Sequence, residues 1–380
     1  MRILHTSDWH VGKVLKGQSR VDDHIAALAQ VVDVARAERP DLVIVAGDLY
    51  DTASPTPEAT RIVTRALSAL RATGADVVAI GGNHDNGAAL DALRGWAEAA
   101  GVVLRGSVRA ASDHVVTGGT RDGEAWRLVA LPFLSQRYAV RATELFDLTD
   151  AEATQTYADH VARLVAALTA GFADDSVNLL TAHLTVVGGK VGGGERDAHT
   201  ILGYAVPATI FPAGAHYVAL GHLHRAQQVP GPCPIRYSGS PLAVDFGEED
   251  NTASVSVVEV TADTAAKVRE VPITAGTPLK TVRGTLDELS TVDARGAWLR
   301  VYVTEPPRAG LREEVQALLP RALEVRVDPR LLPEAGAEQP RAQRTGRSPG
   351  DLFADYLSQK GHADQATLDL FHRLHGEVMS

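Results

Sequence analysis

The chain has 380 residues, of which 45% are hydrophobic, and these values are typical of a soluble protein with two or three domains and an ample core. The formal net charge of −10 argues against a uniformly basic surface, although a nucleic-acid enzyme can still hold metal ions with its acidic groups. The first residues lack the apolar region of a signal peptide and no apolar run approaches transmembrane length, so we expect a cytoplasmic protein without a membrane anchor.

The first predicted strand, Arg2 to Thr6, leads into a pair of polar residues, Asp8 and His10. Because side chains alternate along an extended chain, these two residues project to the same side, at the spacing of metal ligands. The pattern is common by chance when it stands alone. Residues 22–38 carry apolar residues at helical spacing and predict the first helix.

The next strand, Leu42 to Ala46, is a short apolar run that predicts burial on both faces of a sheet, and it ends in Gly47-Asp48. Ligands of open α/β sheets bind at this end of the strands, although a lone aspartate there more often caps a turn. A second helix is predicted up to about Arg71. A third buried strand, residues 76–80, is followed by Gly-Gly-Asn-His-Asp at residues 81–85.

Two later strands are predicted to end in histidines. Residues 177–181 lead to His183, and residues 217–220 lead to Gly221-His222-Leu223-His224. Chance can produce one polar strand end, but a repeated series at one sheet edge is hard to explain by turn chemistry. For three other histidines we expect ordinary hydrogen bonds in partly buried positions, namely His5, His114 and His216.

The series of blocks, D-x-H, G-D, G-N-H-D, a single late histidine and G-H-x-H, resembles the calcineurin-like metallophosphoesterase superfamily. Carboxylate, amide and imidazole donors without cysteine suit a hard to borderline divalent ion such as Mn²⁺, with iron or zinc as alternatives. Seven ligands are too many for one ion with an open position, whereas two ions about 3.5–4 Å apart would fit.

The resemblance implies an α/β fold, a sandwich of β-sheets flanked by helices. It also implies that Asp48 bridges the two ions, and it divides the ligands into two sets: Asp8, His10, Asp48 and His224 for one ion, and Asp48, Asn83, His183 and His222 for the other. His84 directly follows a ligand but is not needed as one. We therefore predict that His84 stabilises the transition state and protonates the leaving oxygen.

Four longer blocks, beginning at Ile3, Val45, Ala219 and Tyr237, look like the SbcD family of bacterial double-strand-break repair nuclease subunits. The last block, Tyr-Ser-Gly-Ser-Pro, lies outside the metal ligands, so a generic phosphatase does not need it. The resemblance implies a Mn²⁺-dependent 3′–5′ exonuclease on double-stranded DNA and an endonuclease on single strands and hairpins. It also implies an SbcC-type ATPase partner, roles in DNA repair and recombination, and association with the nucleoid.

Two alternatives stay open at this point. One is a phosphodiesterase or phosphatase for small substrates from the same superfamily, and the other is a DNA-end scaffold without catalysis. The complete ligand set argues against the scaffold, and the Tyr237 block argues against the small-substrate enzyme. Similar nucleases outside bacteria carry a histidine at the place of Asp51, so no catalytic role is assigned to Asp51.

A glycine-rich segment, residues 188–194, lacks the G-x-x-x-x-G-K-[ST] arrangement of a phosphate-binding loop and predicts a mobile loop beside the cleft. Five basic residues near the motifs could contact a DNA backbone, although a solvated surface position is at least as good an account of each. They are Lys13, Lys16, Arg20, Lys190 and Arg196.

The domain organisation is predicted as a nuclease domain over 1–270, a small α/β capping domain over 271–333, a linker over 334–348 and a helical tail over 349–380. The capping domain is expected to have strands at 280–282, 298–303 and 323–327 and helices at 287–289 and 312–319. By resemblance, this domain covers the cleft and helps to select the DNA.

The tail is predicted to begin a helix at Ser348 to Asp351, which has the spacing of a capping box with Pro349 at the first helical position. A second helix presents Leu370 and Phe371 on an apolar face. Resemblance favours docking of both helices on the partner ATPase, with folding back on the capping domain as the alternative. It also implies a homodimer, within a heterotetramer, through helices near 58–72 and 88–100, for which packing against the sheet is an equal alternative.

Overall fold

The computed structural model describes residues 1–135, 157–195, 204–294, 296–331, 353–354, 356–358 and 364–379. The chain divides into two compact units, Met1–Arg326 and Val327–Ser380. A search of the described helices finds none with the length and apolar character that a membrane crossing requires.

The regular elements of these residues are numbered in chain order. The strands are β1 (Arg2–Thr6), β2 (Val14–Leu15), β3 (Gln18–Ser19), β4 (Leu42–Val45), β5 (Asp76–Ile80), β6 (Val102–Arg105), β7 (Val115–Gly119), β8 (Ala125–Leu131), β9 (Val177–His183), β10 (Thr185–Val186), β11 (Ala205–Val206), β12 (Tyr217–Gly221), β13 (Gln227–Val229), β14 (Ile235–Tyr237), β15 (Ser254–Thr261), β16 (Thr264–Pro272), β17 (Leu279–Gly284), β18 (Trp298–Val303) and β19 (Ala322–Val327). The α-helices are α1 (Val21–Glu38), α2 (Pro57–Arg71), α3 (Gly87–Ala92), α4 (Arg94–Ala99), α5 (Tyr157–Thr169), α6 (Leu286–Ser290), α7 (Leu311–Leu318) and α8 (Gln365–Met379).

Two six-stranded sheets form the centre of the first unit. Their spatial orders are β16-β15-β1-β4-β5-β6 and β13-β14-β12-β9-β8-β7. Strands β1, β4 and β5 are parallel to one another, and so are β8, β9 and β12. One face of each sheet supplies a shared apolar layer, to which the first sheet contributes Ile44 and Val78 and the second contributes Leu128 and Leu179. The sheets are therefore packed face to face as a sandwich.

Helices cover the outer faces of both sheets. Leu28 of α1 and Leu67 of α2 are buried in the cluster against the first sheet, and Leu164 of α5 is buried against the second. Helix α2 begins where the sequence favours it, because the Thr56 side chain accepts a hydrogen bond from the Ala59 N–H and proline occupies the first turn. The predicted α/β sandwich flanked by helices is confirmed.

A small three-stranded sheet follows in the order β17-β18-β19, accompanied by α6 and α7. Helix α6 begins with a capping box in which Thr285 and Glu288 each bond the other's backbone N–H. These elements match the strands and helices predicted for the capping domain. Strand β16 extends to Pro272, two residues past the predicted boundary, and the division of the chain into domains stays a prediction.

The segment predicted to take part in a dimer differs in detail from the expectation. Two short helices, α3 and α4, replace the expected helix near 88–100 and are separated at Leu93. Leu90 and Ala97 are buried in the core against the first sheet, whereas Leu93 and Trp96 are partly buried against it. The apolar spacing therefore serves packing within the chain, and the homodimer stays a prediction.

In the second unit, α8 contains the predicted apolar residues Leu370 and Phe371. The Phe353 ring stacks on the Phe371 ring with 4.3 Å between centroids. The predicted linker at 334–348 and the capping box at Ser348 to Asp351 lie outside the described residues.

Candidate metal centre

The carboxyl ends of five strands meet at one edge of the sandwich. Strands β1, β4 and β5 of the first sheet and β9 and β12 of the second each run directly into, or end at, a residue singled out in the sequence. Six of the seven predicted ligands are buried, and Asn83 is partly exposed: Asp8, His10, Asp48, His183, His222 and His224 are each at most 4% exposed. The structure thus brings all seven residues to one place.

The first group of donors consists of Asp8, His10 and His224, whose ligand atoms lie within 4.8 Å of one another. His10 Nε2 and His224 Nε2 are 3.0 Å apart, and Asp48 Oδ2 is 3.6 Å from His10 Nε2. Donors that surround one octahedral ion at about 2.1 Å lie about 3 Å from their neighbours. The spacing of this group therefore fits a single ion.

The second group consists of Asp48, His183 and His222, again within 4.8 Å. Asp48 Oδ2 is 3.4 Å from His183 Nε2. Asn83 Oδ1 is 2.8 Å from both His183 Nε2 and His222 Nδ1, so the amide oxygen points into the same space. Since Asp48 Oδ2 approaches a histidine of each group, its position suits a bridge between two ions.

Four of these residues have left-handed backbone angles that side chains other than glycine rarely adopt: Asp8 (φ 54°), His10 (φ 47°), Asp48 (φ 52°) and His222 (φ 99°). Each such residue costs on the order of 1–3 kcal/mol, and such strain concentrates at functional sites. Gly47 is left-handed as well, and a Cβ there would overlap the His183 ring. The residues after these strands therefore hold strained backbone conformations that place their side chains in the site.

Hydrogen bonds orient the rings of His183 and His224. His183 Nδ1–H donates to the Ala46 carbonyl at 2.8 Å, and His224 Nδ1–H donates to Glu248 Oε1 at 2.7 Å. In each ring the proton on Nδ1 directs the lone pair of Nε2 toward the centre. Sequence reasoning missed Glu248, because no ligand-type spacing relates it to His224.

His84 lies beside both groups, close to His10 and Asp48. Its backbone N–H donates to Asp48 Oδ1 at 2.8 Å, and its Nδ1–H donates to the Asp51 carbonyl at 2.7 Å. The His84 ring is 4.5 Å from the His10 ring, and ligand atoms of His10, Asp48 and His84 lie within 4.8 Å of one another. The Asp51 carboxylate lies 3.2 Å from Lys13 Nζ. Burial acts to raise the Asp51 pKa, but the interactions with His10 and Lys13 outweigh burial and lower this pKa to about 2.

Asp85, the last residue of the G-N-H-D block, holds two strand-end loops together. Its carboxylate accepts the backbone N–H groups of Leu49, Tyr50 and Gly82 at 2.9–3.1 Å. Burial and the nearby Asp48 charge raise its pKa to about 7. The sequence contained a signal for this residue, because it directly follows two predicted site residues.

The Tyr237 block supports the site from outside. Ser7 Oγ donates to Asp8 Oδ2 at 2.6 Å and lies 2.8 Å from Ser238 Oγ. The Ser240 N–H donates to the His224 carbonyl at 3.1 Å. The block thus fixes the side chain of Asp8 and the backbone of His224, which gives it a structural reason beyond family resemblance.

The pKa of each histidine in the site depends on whether a neighbouring carboxylate outweighs the lowering effect of burial. Burial lowers the pKa of His10 to about 3. Burial also acts to lower the pKa of His183, but Asp48 outweighs it and the pKa rises to about 9. In the same way Glu248 outweighs burial at His224, and the pKa of His224 rises to about 10. Both rings must lose a proton before Nε2 can bind a cation.

The donor set fits a pair of divalent ions. It offers oxygen and imidazole nitrogen without sulfur, all of its members except Asn83 are buried, and Asp48 Oδ2 lies near a histidine of each group. Hard to borderline divalent ions prefer such donors.

The residues predicted to touch DNA have different environments. Lys13 pairs with Asp51, Lys16 pairs with Glu324 at 3.4 Å, and Lys190 is exposed. Arg196 lies outside the described residues.

The expectation for Arg20 is wrong. Its side chain is fully buried, and its guanidinium donates to Asp23 and to the carbonyls of Ala243 and Thr277. Arg20 therefore joins three segments of the fold and presents no surface to a ligand.

The three histidines expected to make ordinary hydrogen bonds do so, although only His216 is partly buried and His5 and His114 are fully buried. His5 bonds the Tyr217 hydroxyl at 3.0 Å. His114 bonds the Ala130 carbonyl, and His216 bonds the Ala262 carbonyl.

Comparison with known proteins agrees with this geometry. Residues 1–226 match the family described as calcineurin-like phosphoesterase, and residues 276–361 match the family described as type 5 capsule protein repressor C-terminal domain. Proteins named as the SbcD component of the nuclease SbcCD are similar in Bacillus subtilis (33% identical, over 82% of this chain and 81% of the relative), Escherichia coli K12 (31%, over 81% and 76%) and Rhodobacter capsulatus (32%, over 77% of each).

Among solved structures, a protein of Thermus thermophilus is similar with 12% identity and a TM-score of 0.42, covering 72% of this chain and 98% of that one. A dimetal phosphatase from Danio rerio has 13% identity and the same TM-score, covering 72% and 97%. The sequence relatives exceed 30% identity over most of both chains. The chain therefore belongs to the SbcD family of calcineurin-like phosphoesterases, and it is a metal-dependent phosphodiester hydrolase.

Proposed function

We propose that this chain is the nuclease subunit of an SbcCD-type complex, a Mn²⁺-dependent enzyme that cuts DNA phosphodiesters. It acts as a 3′–5′ exonuclease on double strands and as an endonuclease on single strands and hairpins. The observation that carries the proposal is the pair of buried donor groups between which Asp48 Oδ2 lies, 3.6 Å from His10 Nε2 and 3.4 Å from His183 Nε2.

Asp8, His10 and His224 would hold one ion and Asn83, His183 and His222 the other, with Asp48 between them. When bound, two divalent ions supply Lewis acidity to the phosphodiester and to the attacking water. Mn²⁺ is proposed among the candidates on the family resemblance; three of the seven donors are carboxylate or amide oxygens, which suit it, and the four imidazoles suit iron and zinc as well.

His84 acts as the general acid. Its Nδ1–H is committed to the Asp51 carbonyl, so the proton that it gives to the leaving oxygen departs from Nε2. The carbonyl stabilises the Nδ1–H bond of the imidazolium before transfer, and the backbone N–H bond to Asp48 fixes the distance of His84 from the bridging carboxylate.

The relatives are named as subunits of SbcCD, which supports an SbcC-type ATPase as partner. The proposal places two copies of this chain in a heterotetramer that acts on DNA in repair and recombination, in the cytoplasm and at the nucleoid. Among the described basic residues, Lys13, Lys16 and Lys190 are the proposed contacts to the DNA backbone.

The test uses the purified full-length chain with Mn²⁺ on labelled duplex DNA, a labelled hairpin and a chromogenic phosphodiester. We expect the wild-type chain to cut both DNA substrates and Asp48→Ala to abolish this cutting. Asp33→Ala should retain it; Asp33 is an exposed aspartate on α1 and serves as the matched control. Turnover of the chromogenic ester alone would identify a small-substrate enzyme, and binding of DNA ends without turnover of any substrate would identify a scaffold.

A further inference from the structure

One buried carboxylate beside the metal centre belongs to none of the sequence motifs. Glu248 lies in a short 3₁₀ turn, Phe246–Glu248, and is 2% exposed. Its Oε1 accepts the His224 Nδ1–H at 2.7 Å, and its Oε2 accepts the backbone N–H of Val244 at 3.0 Å. Both carboxylate oxygens are therefore engaged, one by the site and one by the chain segment that carries the glutamate.

The glycine-rich segment packs closely over this contact. A Cβ at Gly194 would overlap Glu248 Oε1, and a Cβ at Gly193 would overlap the backbone of Gly247. Glu195 anchors the segment, because its carboxylate accepts the N–H groups of Gly192 (2.5 Å) and Gly193 (2.7 Å) and also that of His224 (2.9 Å). Only a segment without side chains can approach the carboxylate and the ring so closely, which gives this sequence a role unrelated to phosphate binding.

The two donor groups differ in this respect. His183, in the second group, rests on the neutral carbonyl of Ala46. His224, in the first group, rests on the Glu248 carboxylate. A carboxylate is the stronger acceptor, and it makes the imidazole a better donor to a cation.

We infer that Glu248 is a positioning residue for the first ion: it fixes the proton of His224 on Nδ1 and aims Nε2 at the ion held with Asp8 and His10. This inference rests on the ligand assignment of the proposed function. It adds that one histidine of each group is oriented by a different part of the chain, His224 by Glu248 under the Gly192 to Gly194 segment and His183 by the Ala46 carbonyl.

Glutamine at this position cannot replace the carboxylate. Its amide has one acceptor oxygen, so either the His224 Nδ1–H or the Val244 N–H would face an NH₂ group. The ring would then lose its fixed tautomer or the 3₁₀ turn would shift. Loss of such an orienting partner reduces metal affinity by about 10- to 100-fold.

The experiment is a Mn²⁺ titration of the metal-free, full-length chain, followed by electron paramagnetic resonance of free Mn²⁺. The wild type should bind two ions. Glu248→Gln should weaken one of them by about 10- to 100-fold and leave the other unchanged. The matched control is Glu249→Gln, the same change one residue along, in a side chain that pairs with Arg300 at 3.6 Å; both of its ions should stay.

Gly194→Ala provides a second variant, since the added methyl group overlaps Glu248 Oε1 and comes within 2.9 Å of His224 Nδ1, so it disturbs the contact between these two side chains without removing the carboxylate. It should reproduce the loss of one ion, and it decides the matter should Glu248→Gln fail to fold. Wild-type affinity for both ions in Glu248→Gln, or equal weakening of both together with a lower Tm of the metal-free chain, would overturn the inference. A wild type that binds no pair of ions would instead overturn the proposed function.

Discussion

Asp48 Oδ2 lies 3.4 Å from His183 Nε2, although Asp48 follows a strand of the first sheet and His183 ends a strand of the second. The contact spans the sandwich, so the apolar layer that packs the sheets also sets the geometry of the site. Because both residues are buried, their charges interact in a medium of low dielectric constant, where attraction between ions is strong.

Asp48→Ala should remove metal binding and nuclease activity together, because each donor group loses the shared oxygen. Metal ions contribute several kcal/mol to such transition states, so we expect a loss of at least about 10³-fold in kcat. Mn²⁺ stoichiometry and DNA cleavage, measured on one preparation, check this. Retention of two tightly bound ions would contradict the bridging role.

His84→Ala should separate chemistry from binding. A general acid contributes about 10²- to 10⁴-fold, so kcat should fall by that factor while two ions remain bound. The measurement is kcat at saturating Mn²⁺, with bound metal counted after gel filtration. Should the substitution empty the site, His84 would be a ligand, as its proximity to His10 and Asp48 allows.

Metal affinity should rise with pH. The ordinary histidine pKa is 6.5, and in the metal-free site those of His183 and His224 are raised to about 9 and about 10, so both rings are protonated at pH 7. Mn²⁺ must displace these protons; affinity therefore increases as pH climbs toward 9 and decreases on acidification. Calorimetry at pH 7 in two buffers of different ionisation enthalpy should detect proton release. Identical heats in both buffers would show that the rings are already neutral.

The position of the proposed ligands was predictable because each ends a buried strand or follows one within four residues, where local sequence alone indicates position. The position of Glu248 beside His224 was not predictable from the sequence, since this contact depends on how a later loop folds over the site. The pairing of β15 beside β1 is likewise a tertiary event, antiparallel at the edge of a parallel run, and no local pattern reports it.

Arg20 is a residue whose role local sequence predicts wrongly. A basic residue after the first motif was compatible with DNA contact, and only the packing of α1 beneath the Ala243 and Thr277 segments decides that its guanidinium is buried.

Arg20→Ala should destabilise the fold without an effect on DNA binding by the folded chain. The substitution removes the guanidinium donor from two partly buried carbonyls and from one oxygen of Asp23, which costs about 3 kcal/mol. Urea unfolding measures the stability, and fluorescence anisotropy with a labelled duplex measures the affinity. Lys190→Ala is the matched control, an exposed basic residue whose loss should weaken DNA binding and leave stability unchanged. A reversed pattern would return Arg20 to the DNA surface.

The tail offers apolar side chains that its own short helices leave exposed. Tyr356 is 54% exposed and Leu370 is 44% exposed, even though Phe353 stacks on Phe371. Helices of this length with so small a core are marginal in water, so these faces need a further surface. The proposed helix-in-groove docking on an SbcC-type ATPase would provide one.

Removal of residues 349–380 should therefore leave Mn²⁺-dependent cutting of single-stranded DNA intact, because the seven proposed ligands and His84 all lie before residue 225. The same truncation should abolish co-purification with the ATPase and ATP-stimulated cutting of duplex ends. Leu370→Asp should act like the truncation, since a charge cannot be buried unpaired in an apolar groove. Asp369→Ala, a neighbouring change on the same helix that adds no charge, is the control. Full-affinity binding of the ATPase by the truncated chain would mean that the dock lies elsewhere, and it would leave folding within the chain as the account of these apolar faces.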